Sequence, residues 1–356
     1  MLGLQPAAAE APGQHVWRIA YVEGGEFSDY QRTLRGVAVG LKQLGFIDKG
    51  DVAVPVDTES TEPMWRWLSE NAGGQAVFLA DAWYSAGWDT EKRVENREAL
   101  LRRIREKGDI DLILAFGTWA GQDFAHADID VPVIVASVTN AVESGIIESP
   151  ERSGRDNVAA MIEPDRFSEQ VRLFHSIFPF KKLGIAYEDT PSGRSSVALG
   201  EIEAASRRLG IELVRCTDAF DIADARLSAQ RLKACHEKFV AAGVNAVYLT
   251  ATLGMQADPE GVLEPLIAAK IPTFSQAGAL DVRKGALLSI SESSTEEEGV
   301  FTARQVGSVI LGAAPGTLVQ KYESSVTLAM NLTTVKRIGW NPPLEILVAV
   351  DEFFRN

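Results

Sequence analysis

The side chains with the clearest chemical promise sit in two neighbouring stretches, Asp111-Leu-Ile-Leu-Ala-Phe-Gly-Thr-Trp-Ala-Gly121 and Val131-Pro-Val-Ile-Val-Ala-Ser-Val-Thr-Asn140. Thr118 and Thr139 offer hydroxyl groups there, and Gly117 would let a ligand approach the backbone. Each stretch opens as a short apolar run, suited to a parallel strand covered on both faces, and then stops in Gly, Ser, Thr or Asn. In open α/β sheets, ligands lie beyond the carboxyl ends of the strands, so these are the two places where binding or reaction is expected. Tight βα turns built from small residues are the plainer explanation of the same pattern.

Catalytic chemistry finds little support. The chain has no Gly-x-x-x-x-Gly-Lys-Ser/Thr phosphate loop and no Gly-x-Ser-x-Gly nucleophile elbow. The first strand runs into Glu23-Gly-Gly-Glu26, which is not a dinucleotide fingerprint, and its two carboxylates would repel a pyrophosphate. Of the four histidines, His15 lies in the N-terminal tail, His175 on the apolar face of a helix, and His126 and His236 read as helix-surface residues. None stands at a strand end, where a general base belongs. The acids at Glu296 to Glu298 suit the positive end of a helix dipole. No cofactor and no metal site are expected, and a binder is favoured over an enzyme.

The elements that must position these residues alternate between strand and helix. Strands are expected at 17–22, 76–80, 112–116 and 131–136, with a helix carrying Leu34, Val37, Leu41 and Leu44 and another at 91–107. A second unit restarts with a helix at 169–178. It has strands at 183–187, 211–216, 244–249 and 272–275, and helices at 196–209, 223–242 and 260–270. Such alternation gives two doubly wound Rossmann-like α/β lobes with a cleft between them. A strand at 286–290 and a helix capped by Ser293 and Ser294 have too few partners of their own, so they must dock on the lobes.

The bulk numbers agree. A chain of 356 residues suits two domains of about 150 residues each. No apolar run approaches the roughly 20 residues of a membrane helix. A net charge of −14 argues against nucleic-acid binding. Residues 1–15 contain Ala-x-Ala patterns ending at Ala9 and Ala11 and read either as the remnant of a secretory signal or as a disordered tail. Cys216 and Cys235 are the two cysteines. Cys235 has the spacing of a buried thiol, and a Cys216–Cys235 disulfide is the alternative in an oxidising compartment. Neither is placed to carry a lipid anchor.

Several segments together resemble the solute-binding proteins of ABC transporters, in the branch that binds tryptophan and other aromatic amino acids. They are Asp111-Leu-Ile-Leu-Ala-Phe-Gly-Thr118, Ile129 to Asn140 with Ser144-Gly-Ile-Ile147, Leu183-Gly-Ile-Ala-Tyr187, Ile271-Pro-Thr-Phe274, Gly285-Ala-Leu-Leu-Ser289, and Met330-Asn-Leu-Thr-Thr-Val-Lys-Arg-Ile-Gly339 with Pro342 and Pro343. The resemblance spans roughly residues 105–350. It implies a type I periplasmic binding fold, with two lobes joined by three hinge strands. It further implies a monomeric periplasmic receptor, its signal removed, that hands a small amphipathic solute to a membrane permease. A sugar, nucleoside or branched amino acid receptor is the nearest alternative, and an α/β enzyme using the cleft a more distant one. Crossings are expected near Thr139 and Asn140, Gln276 and Ala277, and Ser291 and Glu292. That places 16–139 with 277–291 in lobe one and 140–276 with 292–356 in lobe two.

Ligand contacts expected from the resemblance are Gly117, Thr118, Trp119, Ser137, Thr139 and Asn140 in lobe one, and Ser195, Ser196, Thr250 and Thr252 in lobe two. Thr118, Ser195 and Ser196 are the carboxylate candidates, at helix N-termini with free N–H groups. Glu23 or Asp189 would hold an ammonium. Arg194 would meet a carboxylate or sit in solvent, with solvent preferred. Trp83, Tyr84 and Trp88, on a loop after the second strand, would wall an apolar ligand or pack the loop against its lobe.

Overall fold

The structure is a computed structural model that describes residues 15–54, 60–218, 222, 224–292, 295–323 and 326–355. The tail at 1–14 and Ser293 and Ser294, expected to cap a helix, lie outside these.

The first sheet contains β1 (Trp17–Glu23), β2 (Ala76–Ser85), β3 (Leu112–Phe116), β4 (Val133–Ala136) and β5 (Val158–Ala160). The second contains β6 (Lys182–Ala186), β7 (Glu212–Cys216), β8 (Ala246–Leu249), β9 (Thr273–Ser275), β10 (Leu288–Glu292), β11 (Val326–Asn331) and β12 (Glu352–Phe354). Their orders are β2-β1-β3-β4-β5 and β12-β11-β10-β9-β8-β6-β7. Every pairing is parallel except that of β10 with β11. Helices cover both faces. Alternate residues of β3 enter two separate cores: Leu112, Leu114 and Phe116 join one, Ile113 and Ala115 the other. This is why the whole strand is apolar rather than alternating. Two doubly wound α/β lobes follow, as the alternation of elements requires. Among the described residues, no helix is long and apolar enough to cross a membrane.

The lobe boundaries differ from those expected. β5 pairs with β4 in the first sheet, so the chain has not left lobe one at Asn140. β10 pairs with β9 and β11 in the second sheet, so 277–291 belongs to lobe two. The first crossing therefore follows β5 and leads to the helix Arg166–Ile177. The second runs from β10 to the helix Thr295–Ile310, which puts Ala303, Val306, Val309 and Ile310 into the core shared with Leu34, Val37 and Leu41 of lobe one. The third returns through Gln320 and Lys321 to β11. The first and third crossings hydrogen-bond to each other, Ile162 N–H to the Gln320 carbonyl and Tyr322 N–H to the Ile162 carbonyl, both at 2.9 Å. An apolar strand announces its burial but not its sheet, and hence these assignments escaped the sequence.

The helix Thr295–Ile310 runs parallel to the helix Ser28–Gln43: Gly36 lies against Glu296, and Gly40 against Val300 and Ala303. Both first turns thus reach the same end of lobe one, where the lobes meet.

Cys216, at the end of β7, is disulfide-bonded to Cys235 on the helix Ala225–Ala241. His236, expected on that helix's surface, is buried: its Nδ1 lies 2.7 Å from the Val262 carbonyl, and burial lowers its pKa to about 4. The cause is the helix Pro259–Ala268 packing across that face.

Candidate functional site

A cavity of about 370 Å³ lies between the lobes, beyond the carboxyl ends of both sheets. Lobe one supplies Phe27, Asp29 and Arg32 after β1, Ser137, Val138 and Thr139 after β4, and Glu296 and Glu298 from the first turn of the helix Thr295–Ile310. Lobe two supplies Arg166 and Phe167, Ala251 after β8, and Gln276 through Leu280 with Arg283 after β9. Met161 lines it at the first crossing. Among the described residues, no histidine or cysteine lines it.

The wall carries both signs of charge beside apolar surface. Arg32 lies 3.7 Å from Asp29. Arg166 lies 3.6 Å from Glu298 and 3.7 Å from Glu163. Burial pushes the Asp29 carboxyl up to about 7, and repulsion from Glu298 adds to this while Arg32 and Arg166 oppose it. Burial also raises Glu298, against the pull of Arg166. Ser137 takes a left-handed φ of 51°, uncommon for a residue with a Cβ, and its hydroxyl sits 2.9 Å from that of Thr33. Asp281 braces the second wall by accepting a 2.6 Å hydrogen bond from Ser275, whose Oγ in turn accepts from the Ala277 amide.

Of the residues expected from sequence, Ser137 and Thr139 line this cavity. Thr118 is buried at the start of the helix Gly117–Ala125. The space over Gly117 is taken by Tyr30: a Cβ there would fall 1.8 Å from its hydroxyl, at a φ of 81°. Trp119 meets Trp88 edge-on at 5.5 Å, and Trp88 donates from Nε1 to the Glu26 carbonyl. Trp83 and Tyr84 belong to β2 rather than to a loop, and Trp83 donates to the Thr61 hydroxyl at 2.9 Å. Asn140 hydrogen-bonds Glu201. Asp189 pairs with Arg194 in an exposed ion pair. Ser195 donates to the Ser192 carbonyl, and Ser196 is half-buried beside it. Thr250 donates to the Ala186 carbonyl, and Thr252 caps the helix Leu253–Ala257. Thr250 and Thr252 flank the lining residue Ala251.

Glu23 is buried and accepts hydrogen bonds from Tyr21 (2.6 Å) and Thr61 (2.9 Å). Burial raises its pKa to about 7, with the Tyr21, Ser85 and Thr61 hydroxyls opposing. The folded state therefore holds this proton more tightly than the unfolded chain, and folding loses stability as pH rises from about 4.5 towards 7. Glu23→Gln is expected to gain on the wild type by about 3 kcal/mol between pH 5 and pH 8 in denaturant unfolding. A difference between the two proteins that does not vary with pH contradicts this.

Phe27, Asp29, Arg32, Arg166 and Glu298 also line the cavity and are not among the residues expected from the sequence. The rule that pointed beyond β3 and β4 also points beyond β1, where Phe27 to Arg32 follow.

The family described as ABC transporter substrate binding protein matches residues 80–353. A tyrosine-binding protein from Clostridioides difficile (strain R20291) is 29% identical over 105 residues, which is 29% of this chain and 30% of that relative. A conserved domain protein from Vibrio cholerae O1 biovar eltor has a TM-score of 0.74 at 20% identity, covering 95% of this chain and 99% of that one. An ABC domain in complex with L-Trp from Streptococcus pneumonia has a TM-score of 0.70 at 17% identity, covering 94% and 100%. At these identities, the two structures show likeness of fold.

Proposed function

The chain belongs to the ABC transporter substrate-binding family, whose members are extracytoplasmic, bind a small solute and engage a permease, and from that premise we propose that it captures a free amino acid with an apolar, aromatic side chain. The observation that carries the reading is the pairing of guanidinium and carboxylate groups on facing walls of one cavity, beside Phe27, Phe167 and Leu280. Arg32 and Arg166 suit an α-carboxylate, because a guanidinium presents two parallel donors to it. Asp29 and Glu298 suit an α-ammonium. The aromatic walls suit the remaining side chain. A tyrosine-binding relative and an L-Trp-bound neighbour support the same solute class.

The lining residues hold and orient; none is placed to react, and the protein acts without turnover. It works as a monomer in the periplasm, where the Cys216–Cys235 bond persists, and its acidic surface keeps it from nucleic acid.

Thr139→Val tests the site at modest cost to packing. It is expected to weaken amino acid binding about tenfold, the worth of one lost hydrogen bond to a charged group. Unchanged affinity in titration calorimetry would remove the end of β4 from the site.

A further inference from the structure

A second polar cluster bridges the lobes outside the cavity lining. Asn140 follows Thr139, and the turn after it packs Ala141, Ile146 and Ile147 into a lobe-one core. Glu201 stands in the first turn of the helix Leu199–Leu209, whose Ile202 and Ala205 enter the lobe-two core. Asn140 Nδ2 donates to Glu201 Oε1 at 2.7 Å. The other oxygen of that carboxylate accepts from the Phe167 and Ser168 amides at 3.0 and 3.2 Å. Glu143 of lobe one completes the cluster by accepting from the Glu201 amide at 3.2 Å. A side chain at Gly200 would obstruct it, since a Cβ there would fall 2.2 Å from Glu143 Oε1. Asn140 is itself fixed, its Oδ1 accepting from the Val142 and Glu143 amides.

This is a costly place for two carboxylates. Burial raises the pKa of both, and mutual repulsion adds to Glu201. Glu201 is half-buried and Glu143 exposed; partly desolvated charges of this kind contribute little net stability, and geometry is the better reason to keep them. The geometry here is specific. Thr139, next to Asn140, is one wall of the cavity, and Phe167, held by Glu201, is part of the facing wall. Ala198, just before the helix, has a φ of 49°, a further cost concentrated at this point.

We infer that Glu201 is a positioning residue for solute capture: its carboxylate clasps Asn140 of one lobe to the start of the helix Arg166–Ile177 in the other and so sets the spacing of the cavity walls. The inference rests on the receptor reading only in giving the lobe spacing a purpose. Small-angle scattering of the ligand-free protein tests it without a solute. Glu201→Gln preserves shape but replaces one of the two acceptor oxygens with an amide nitrogen, so that a donor faces either Asn140 Nδ2 or the Phe167 and Ser168 amides. Asn140→Asp keeps the acceptor for the Val142 and Glu143 amides and sets a like charge against Glu201. Both variants are expected to shift to a larger radius of gyration than the wild type with unchanged mass, as the lobes part. A radius equal to the wild type in the folded variants overturns the clasp, because a merely local support would leave the lobe spacing alone. Should Glu201→Gln fail to fold, Asn140→Asp decides. Failure of the amino acid reading would show separately, as a wild type that binds no amino acid.

Discussion

Asp29→Asn is expected to weaken binding of a zwitterionic amino acid about 100-fold at pH 8, the usual consequence of removing one charge from a buried, charge-assisted contact. The substitution keeps the volume of the side chain, so the cavity keeps its shape. The wild-type pH profile carries the same information. In the empty site, Asp29 holds its proton up to about pH 7, because burial and the neighbouring Glu298 disfavour its charge. An ammonium ligand needs the ionised form, so below pH 7 binding must expel a proton. Affinity should then fall about tenfold per pH unit, and be roughly 30-fold weaker at pH 5.5 than at pH 8. The Asn variant should lose most of that slope. A wild-type affinity that is flat across this range removes Asp29 from the site.

The largest expected effect on stability comes from residues outside the cavity lining. The Cys216–Cys235 bond closes a loop with a sequence separation of 19 and ties β7 to the helix Ala225–Ala241. A loop of this length constrains the unfolded chain by about 3 kcal/mol. Cys216→Ala with Cys235→Ala should therefore lower the Tm by roughly 6–12 °C, taking about 2–4 °C per kcal/mol for a lobe of this size. Cys216 and Cys235 are not among the residues lining the interlobe cavity, so solute affinity measured well below the transition should stay near wild type. An unchanged Tm would show that the loop is equally restricted without the bond.

How much of this was legible depended on the range of the interaction. The run Leu112–Phe116 announced itself to the residue, because a strand buried on both faces must be apolar throughout. The strand-end rule then pointed to Ser137 and Thr139, which line the cavity. Pairing partners were beyond reach: nothing in Leu288–Glu292 says that it lies between β9 and β11 rather than in lobe one. Strands as short as Val158–Ala160 and Glu352–Phe354 are too brief to show a period. The helix dipole accounts for an acid at Glu298 only in part, since the parallel packing of two helices also brings that first turn to the cavity. Gly117 was expected to face a ligand, and only the packed structure places Tyr30 there.

On the proposed function, the interlobe cavity recognises both charged groups of an amino acid together with an apolar side chain. Titration calorimetry at pH 8 tests it most directly, with the proteinogenic L-amino acids and then the N-acetyl and methyl ester derivatives of any that bind. Saturable one-to-one binding of an aromatic amino acid, lost in both derivatives, is the predicted result. Silence across the set, or derivatives that bind as tightly as the parent, would contradict it.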